Sequence, residues 1–312
     1  MSKILVKTAD LPRDEWLEYR RTGIGGSDAA AVCGLHPYKS LIELWADKTG
    51  RLPEQEDNEA MRTGRDLEEY VASRFCEATG KKVRRRNAIF KHDKYDFITA
   101  NIDREIVGEN AGLECKTTSA FAKSDFENGE IPLYYLVQCR HYMNVMGYDK
   151  MYLAVLVMGR AFYWYEIPYD KTEGEALLQM EVAFWEKNVI PDARPEPDGS
   201  ESAERTLKAV FDEQLDDTMA CYEMDAIAAH LVDIKAQIGE LKAQEETLKQ
   251  QMITALEGCE RGFTSEYDFS WKEQKRRTVD AKALKAKYPK IYEELAKESS
   301  TRVFRIRDRK ES

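Results

Sequence analysis

An α/β core carrying a helical extension is what this sequence predicts, and three observations predict it. Helical patterns alternate with short β-branched or aromatic runs from residue 11 to about 190. Charged residues punctuate a buried-looking strand at 112–118. An apolar stripe with alternating steps of four and three runs from 227 to 255. The chain has 312 residues, 43% of them hydrophobic and 10% aromatic, which is material for about two domains. The expected division is a catalytic-type domain over residues 1–195 and an extension over 196–312.

In chain order, residues 60–77 read as an amphipathic helix and 88–106 as strand material. A turn at Gly108-Glu109-Asn110 precedes a short strand at 112–118. Residues 133–146 form a second helix, and 150–157 with 161–167 a hairpin around Gly159-Arg160. Three prolines and a glycine within 191–200 mark a boundary. Beyond it, Ile227, Leu231, Ile234, Ile238, Leu241, Leu248, Met252 and Ala255 line one face of a long helix, with Glu245 the polar member of the seam. That spacing suits a coiled coil; a packed helical hairpin is the other reading. A strand at 267–278, a helix at 280–298 interrupted by Pro289, and a strand at 302–307 complete the expectation.

Composition removes several function classes. No eighteen apolar residues run together, so a membrane span is excluded. The first apolar run is too short for a signal peptide, and the six cysteines show neither disulfide nor zinc-knuckle spacing, so a cytoplasmic protein with reduced thiols is expected. None of the four histidines has the spacing of a zinc ligand. The net charge of −10 hides an asymmetry: residues 270–310 hold fourteen Lys/Arg against six Asp/Glu, and everything before them is near −17. Lys81-Lys82-Val83-Arg84-Arg85-Arg86 is an isolated basic run, either a solvated face or part of a polyanion surface.

The sharpest chemical signal is Asp103 followed eleven residues later by Glu114-Cys115-Lys116. In a strand, positions i and i+2 share a face, so Glu114 and Lys116 project into one pocket with the Cys115 carbonyl between them. Asp103 on a neighbouring strand adds a second carboxylate. Two carboxylates and a carbonyl are hard oxygen donors suited to Mg²⁺ or Mn²⁺, and the lysine can stabilise phosphoryl charge or help deprotonate a water. A surface ion pair also explains such spacing, but these charges interrupt a run that reads as buried, where unpaired charge is costly. Glu68, on the helix before the basic run, is a further acidic candidate. Gln138 and Tyr142 share a helical face at i, i+4. Near the start, Arg20 precedes Gly23-Ile24-Gly25-Gly26-Ser27-Asp28, a turn into an Ala-rich helix. Ser27 reads as its N-cap, and free amides there with Arg20 opposite suit a phosphate; taken alone, the turn is more simply read as folding punctuation.

These pieces occur together and in this order in one family. The stretches EWLEYRRTGIGGSDAAAVCGLHPYKS, GRDLEEYV, ANIDREI, GLECKTT and YYLVQCRHYMNVMG resemble the YqaJ-type viral recombinase domain of phage alkaline exonucleases similar to lambda exonuclease. The resemblance covers residues 12–190 and implies a restriction-endonuclease-like core, of the PD-(D/E)XK class, acting on linear duplex DNA. It implies that Asp103, Glu114 and the Cys115 carbonyl hold Mg²⁺, with Mn²⁺ as substitute and two ions in the site. Lys116 is then the catalytic lysine, Glu68 an added acidic contributor, and Gln138 the glutamine that orients water or lysine. Arg20 and Ser27 match the 5′-phosphate pocket, with Arg21 a neighbouring alternative. Where the family often has a second glutamine, this chain has Arg140. The implied partners are duplex DNA ends, a phage single-strand annealing protein and further copies of the chain, as a trimer. An iron–sulfur RecB-like nuclease needs a cysteine quartet that the spacing lacks. A restriction-type endonuclease and a catalytically idle DNA-binding or scaffold protein are the other readings.

Overall fold

The computed structural model describes residues 2–53, 57–213, 215–298 and 302–307. The chain forms two compact units, Met1–Leu215 and Asp216–Ser312. The first opens with β1 (Lys3–Lys7) and three helices, α1 (Arg13–Arg21), α2 (Gly26–Val32) and α3 (Leu41–Lys48). The long α4 (Glu59–Thr79) follows. Asn58 caps it by accepting from the Met61 N–H, and left-handed Gly80 ends it. Then come β2 (Val83–Arg84), β3 (Ala88–Lys91), β4 (Thr99–Ala100), β5 (Arg104–Ile106) and β6 (Ala111–Thr118). A 3₁₀ segment at Ala120–Gly129 leads to α5 (Leu133–Met146), β7 (Lys150–Val157), β8 (Ala161–Pro168), α6 (Lys171–Phe184) and α7 (Glu201–Val210).

The main sheet has the order β2-β5-β6-β7-β8, with β6 and β7 parallel and the other pairs antiparallel. Strand alternation sorts its side chains onto two helical layers. Tyr152 and Ala154 of β7 and Leu113 of β6 pack with Val71, Ala72 and Phe75 of α4. Met151, Leu153, Val155 and Val157 face the other way, into a core shared with Cys139, Tyr142 and Met143 of α5. Gly112 belongs to that second face, where a Cβ would stand 2.5 Å from the Met151 sulfur. Glu114 and Lys116, two and four residues on, therefore look towards α5. A smaller antiparallel sheet, β1-β3-β4, is tied to the turn before α2 by an Ile24–Ile98 bridge.

The expected strand material at 88–106 is three short strands separated by turns, and the expected domain boundary at 195/196 lies too early. Helix α7 packs back on α3: the Ser40 N–H donates to the Ser202 hydroxyl at 2.8 Å, and Ala203 and Thr206 are buried. The proline-rich stretch is a surface connection inside the first unit.

The second unit holds α8 (Asp225–Ala255), β9 (Arg261–Phe263), β10 (Asp268–Ser270), α9 (Ala281–Lys287) and α10 (Pro289–Leu295). The expected strand at 267–278 shrinks to the three residues of β10, paired with β9. Its charged remainder has no partner strand among the described residues of the unit. The expected helix at 280–298 is two helices, because Pro289 cannot continue α9 and instead starts α10 at its first turn. Residues 302–307, expected as a strand, have no regular structure. Arg309, part of the basic tail, lies outside the described residues. No helix among the described residues is long and apolar enough to cross a membrane.

Candidate active site

The candidate residues for DNA chemistry converge where β6 leaves the cover of β5. Pairing with β5 ends at Arg104–Leu113, which leaves the following β6 backbone open on that edge. Asp103, the residue just before β5, fills the gap: its Oδ2 accepts the Cys115 N–H at 2.8 Å. A strand residue's N–H and C=O point to the same side, so the Cys115 carbonyl shares that edge with Asp103. Glu114 is 3% exposed. Its Oε1 accepts from Lys116 Nζ and from Gln138 Nε2, each at 2.7 Å. Its Oε2 is buried with no hydrogen-bond partner among the described residues. Such an oxygen carries an uncompensated desolvation cost, which a hard cation removes.

The site is electrostatically tense. Burial pushes the Asp103 carboxyl well above the usual carboxylate range, and Glu114 and Glu68 push it further; Lys116 and the Cys115 N–H pull the other way. Burial works against the Lys116 ammonium, yet Glu114 and Asp103 hold its pKa above the ordinary lysine value. The ammonium also sits 5.4 Å from the centre of the Tyr135 ring. Burial, with Asp103 and Glu114 beside it, raises the Cys115 thiol well above its usual range, so that side chain is inert and only its backbone is a donor here.

Glu68 is near but engaged. Arg104, 3% exposed, donates to Glu68, to Glu69 and to the Asp103 carbonyl. No group of three His, Cys, Asp or Glu side chains placed to hold a metal occurs among the described residues. The oxygen donors present are the Asp103 and Glu114 carboxylates and the main chain, with Glu68 tied to Arg104. Gln138 spends its amide N–H groups on Glu114 and, at 3.0 Å, on the Tyr142 hydroxyl, so in this structure it positions a carboxylate rather than Lys116.

Arg20 and Ser27 are brought together, with Arg20 Nη2 donating to the Ser27 hydroxyl at 2.7 Å. The N-cap of α2 is Gly25 and not Ser27, which sits inside the first turn. Asp28 takes the capping role by accepting the Gly25 N–H at 3.2 Å. A cavity of about 180 Å³ is lined by Arg20, Gly25, Gly26 and Ser27 together with Asp103 and Gln138. Gly26 lies so close to Tyr142 that a Cβ would stand 2.5 Å from its ring. Contacts thus run unbroken from the glycine turn through Tyr142 and Gln138 to Glu114. Arg21 turns away, to within 3.8 Å of Asp47, and Arg140 pairs with Glu173 of α6.

Several structural parts carry little signal in the sequence. Asp28 is buried and paired with Lys48 at 2.7 Å and Lys39 at 3.2 Å. Its burial is outweighed by Lys48, Lys39 and Arg20, which hold the carboxyl well below its usual range. Lys48 also donates to the Arg20 carbonyl at 2.7 Å, fixing the end of α1 to the start of α2. An aspartate inside an Ala-rich helix start is the one signal that points to it. The basic run is largely consumed at home: Lys81 pairs with Glu109, Arg84 and Arg86 with Glu105, and Arg85 with Glu69.

The profile of the YqaJ-like viral recombinase domain matches residues 15–149. Protein YqaJ of Bacillus subtilis (strain 168) is 42% identical over 313 residues, spanning 98% of each chain. Protein D345L of African swine fever virus is 36% identical over 69 residues, 21% of this chain and 20% of that protein. Among solved structures, the alkaline exonuclease LHK-Exo of Laribacter hongkongensis is similar at 19% identity and a TM-score of 0.48, over 56% of this chain and 91% of that one. A phage-related exonuclease from Haemophilus somnus is similar at 12% identity and a TM-score of 0.39, over 53% and 92%. With that identity sustained from end to end of the Bacillus protein, the chain belongs to the YqaJ-like viral recombinase family.

Proposed function

We propose that this protein is a Mg²⁺-dependent 5′→3′ exonuclease that digests one strand of linear duplex DNA and leaves a 3′ single-stranded tail. The observation that carries the reading is the shared cavity: an arginine–serine pair at a glycine turn faces the same space as Asp103 and Gln138. A 5′-terminal phosphate held by Arg20, Ser27 and the turn amides is a dianion, whereas an internal phosphodiester carries one charge fewer. Such a site anchors an end and sets the bond to be cut at the carboxylates beside it.

In this reading the core is of the PD-(D/E)XK type. Asp103, Glu114 and the Cys115 carbonyl are the residues that would hold Mg²⁺, or Mn²⁺ in its place. The bound ions supply a Lewis acid and an activated water. Glu68 contributes at the rim, once released from Arg104. Lys116, paired to Glu114, remains an ammonium and stabilises charge on the phosphoryl group. Gln138 and Tyr142 hold Glu114 in place from α5. The product tail calls for a single-strand annealing protein as partner, and the family resemblance points to a homotrimer.

The test is digestion of linear and covalently closed circular duplex in Mg²⁺, with matched 5′-phosphate and 5′-hydroxyl ends. Linear 5′-phosphorylated DNA should be consumed fastest, and circles should persist. Arg20→Ala should erase most of the end preference, since each charge-assisted hydrogen bond contributes about 1.5–3 kcal/mol, tenfold or more in initiation rate. Equal cutting of circles identifies an endonuclease instead. Binding without any cleavage identifies a scaffold.

A further inference from the structure

A row of aromatic rings leads away from Lys116 to the surface. Lys116 Nζ lies over the Tyr135 ring at 5.4 Å, and Tyr135 and Tyr134 have ring centres 4.2 Å apart. The Tyr134 ring is 6.3 Å from the His36 ring, and His36 is 6.2 Å from Tyr38. The row ends in the open, with Tyr38 76% exposed. The loop that carries it is built: the Tyr38 N–H donates to His36 Nδ1 at 3.1 Å, which fixes the imidazole. Burial, then Lys39, holds that ring below the ordinary histidine pKa, so it presents a neutral face at neutral pH.

Helix α5 gives the row a direction. Tyr142, Gln138 and Tyr135 are three stations along it. At 1.5 Å per residue, Tyr142 lies about 6 Å beyond Gln138 on one side, and Tyr135 about 4.5 Å before it on the other. Tyr142 lines the cavity of Arg20 and Ser27, Gln138 holds the Glu114 carboxylate, and Tyr135 starts the aromatic row. The 5′-phosphate pocket, the carboxylates and the rings thus follow one another along α5.

We propose that Tyr135, Tyr134, His36 and Tyr38 form a stacking track for unpaired bases on the 3′ side of the bond being cut. The proposal rests on the nuclease reading and adds the path of the strand not yet digested. Rings suit this ligand because every base has a π-face, so successive nucleotides pass without sequence preference. The surroundings say how affinity is divided. A cavity of about 200 Å³ beside Tyr38 is lined by Lys39 and Arg205 but also by Asp198 and Glu201, so phosphate attraction there is balanced by repulsion. The track should therefore work by stacking, with little dependence on salt.

The experiment uses the full chain in EDTA, where no cleavage occurs, and a 5′-phosphorylated single-stranded oligothymidylate labelled at its 3′ end. Fluorescence anisotropy reads affinity at low and high salt. Tyr38→Ala should weaken binding by about tenfold, the size of losing one stacked base, and by the same factor at both salts. Tyr38→Phe keeps the ring and should bind within about twofold of the parent. Abasic sites at the second and third nucleotides should weaken the parent but not Tyr38→Ala. Unchanged affinity in Tyr38→Ala, a loss that depends on salt, indifference to the abasic sites, or no single-strand binding by the parent would each overturn the track. A parent that digests linear duplex while Tyr38→Ala binds normally overturns the track alone. Tyr38-dependent binding by a parent that digests nothing overturns the nuclease reading and leaves the rings a single-strand binding row with no cut strand to guide.

Discussion

Helices α5 and α8 both carry apolar residues at helical spacing, and they use them in opposite ways. In α5, seven of fourteen residues are buried, and two of those, Gln138 and His141, are polar and hydrogen-bonded. In α8, thirty-one residues long, none is buried, and Ile227, Ile238, Leu241 and Leu248 stand 45–63% exposed. A hydrophobic period states that a helix needs a partner, but it does not state which one. Inside the first unit the partners are α2, α6 and the strands beneath, and Gln138, the polar residue that meets β6 at Glu114, joins the candidate site. In the second unit the seam has no cover among the described residues.

The contrast is broken most severely at the carboxylates. Asp103→Ala and Glu114→Ala should each lower cleavage by at least about a hundredfold, the scale of losing one preorganised electrostatic group, while thermal unfolding stays cooperative. Initial rates on linear duplex in Mg²⁺ check this, and near-parental turnover in both variants removes them from the site. The next effect is on stability. Asp28→Asn leaves the buried Lys48 and the half-buried Lys39 opposite a neutral amide, and breaking a buried pair costs about 3–5 kcal/mol in denaturant unfolding. The ion pair on α8, Glu245 with Lys249, is solvent-exposed on both sides, and Glu245→Gln should leave the unfolding midpoint unmoved.

For α8 itself, we expect assembly. Deleting residues 216–312, or placing Ile238→Asp in the seam of the full chain, should lower the oligomer mass measured by sedimentation. Ile238→Asp keeps every basic residue of the tail, including Lys272, Lys275, Arg276 and Arg277. A deletion that leaves mass intact but flattens the salt dependence of DNA binding makes the tail a phosphate-contacting surface.

The first unit is legible where side-chain period and local chemistry agree. Helix 133–146 and the β7–β8 hairpin are readable to within a residue, because Pro132 and Gly147 bracket one and Gly159 turns the other. The Asp103, Glu114 and Lys116 grouping is readable because i and i+2 share a strand face. What escapes is set by distant partners. Asp28 stands out only as an acid in an Ala-rich helix start, and its partners Lys39 and Lys48 arrive eleven and twenty residues later. The position of α7 depends on hydroxyl contacts between Ser40 and Ser202, 162 residues apart. In the tail, β-propensity at 271–278 and 302–307 has no partner strand among the described residues, and pairing rather than propensity makes a strand.

A smaller stability effect than that of Asp28→Asn separates the two units by pH. His141 is wholly buried, 2.6 Å from Glu181 through Nδ1 and 2.7 Å from the Thr99 carbonyl through Nε2. A carbonyl only accepts, so Nε2 carries a hydrogen, and a carboxylate against Nδ1 favours the second hydrogen of the imidazolium form. Burial alone would lower its pKa, but Glu181, followed by the Thr99 carbonyl, raises it above the ordinary 6.5. The native state therefore holds this proton more tightly than the unfolded chain does. Its stabilisation is complete below pH 6.5 and is lost as pH rises through the folded value. Stability should fall with pH above neutrality, by about 1.4 kcal/mol for each tenfold by which folding tightens the proton's binding. Because the pair joins α5 to α6 and to β4, the loss belongs to the first unit. Denaturation midpoints from about pH 6 to 9 should decline in the full chain and equally in a chain ending at Leu215. Glu181→Gln, which removes the charge that holds the proton, should flatten the decline while lowering stability at about pH 6. A decline that survives Glu181→Gln, or vanishes with the second unit, would assign the proton elsewhere.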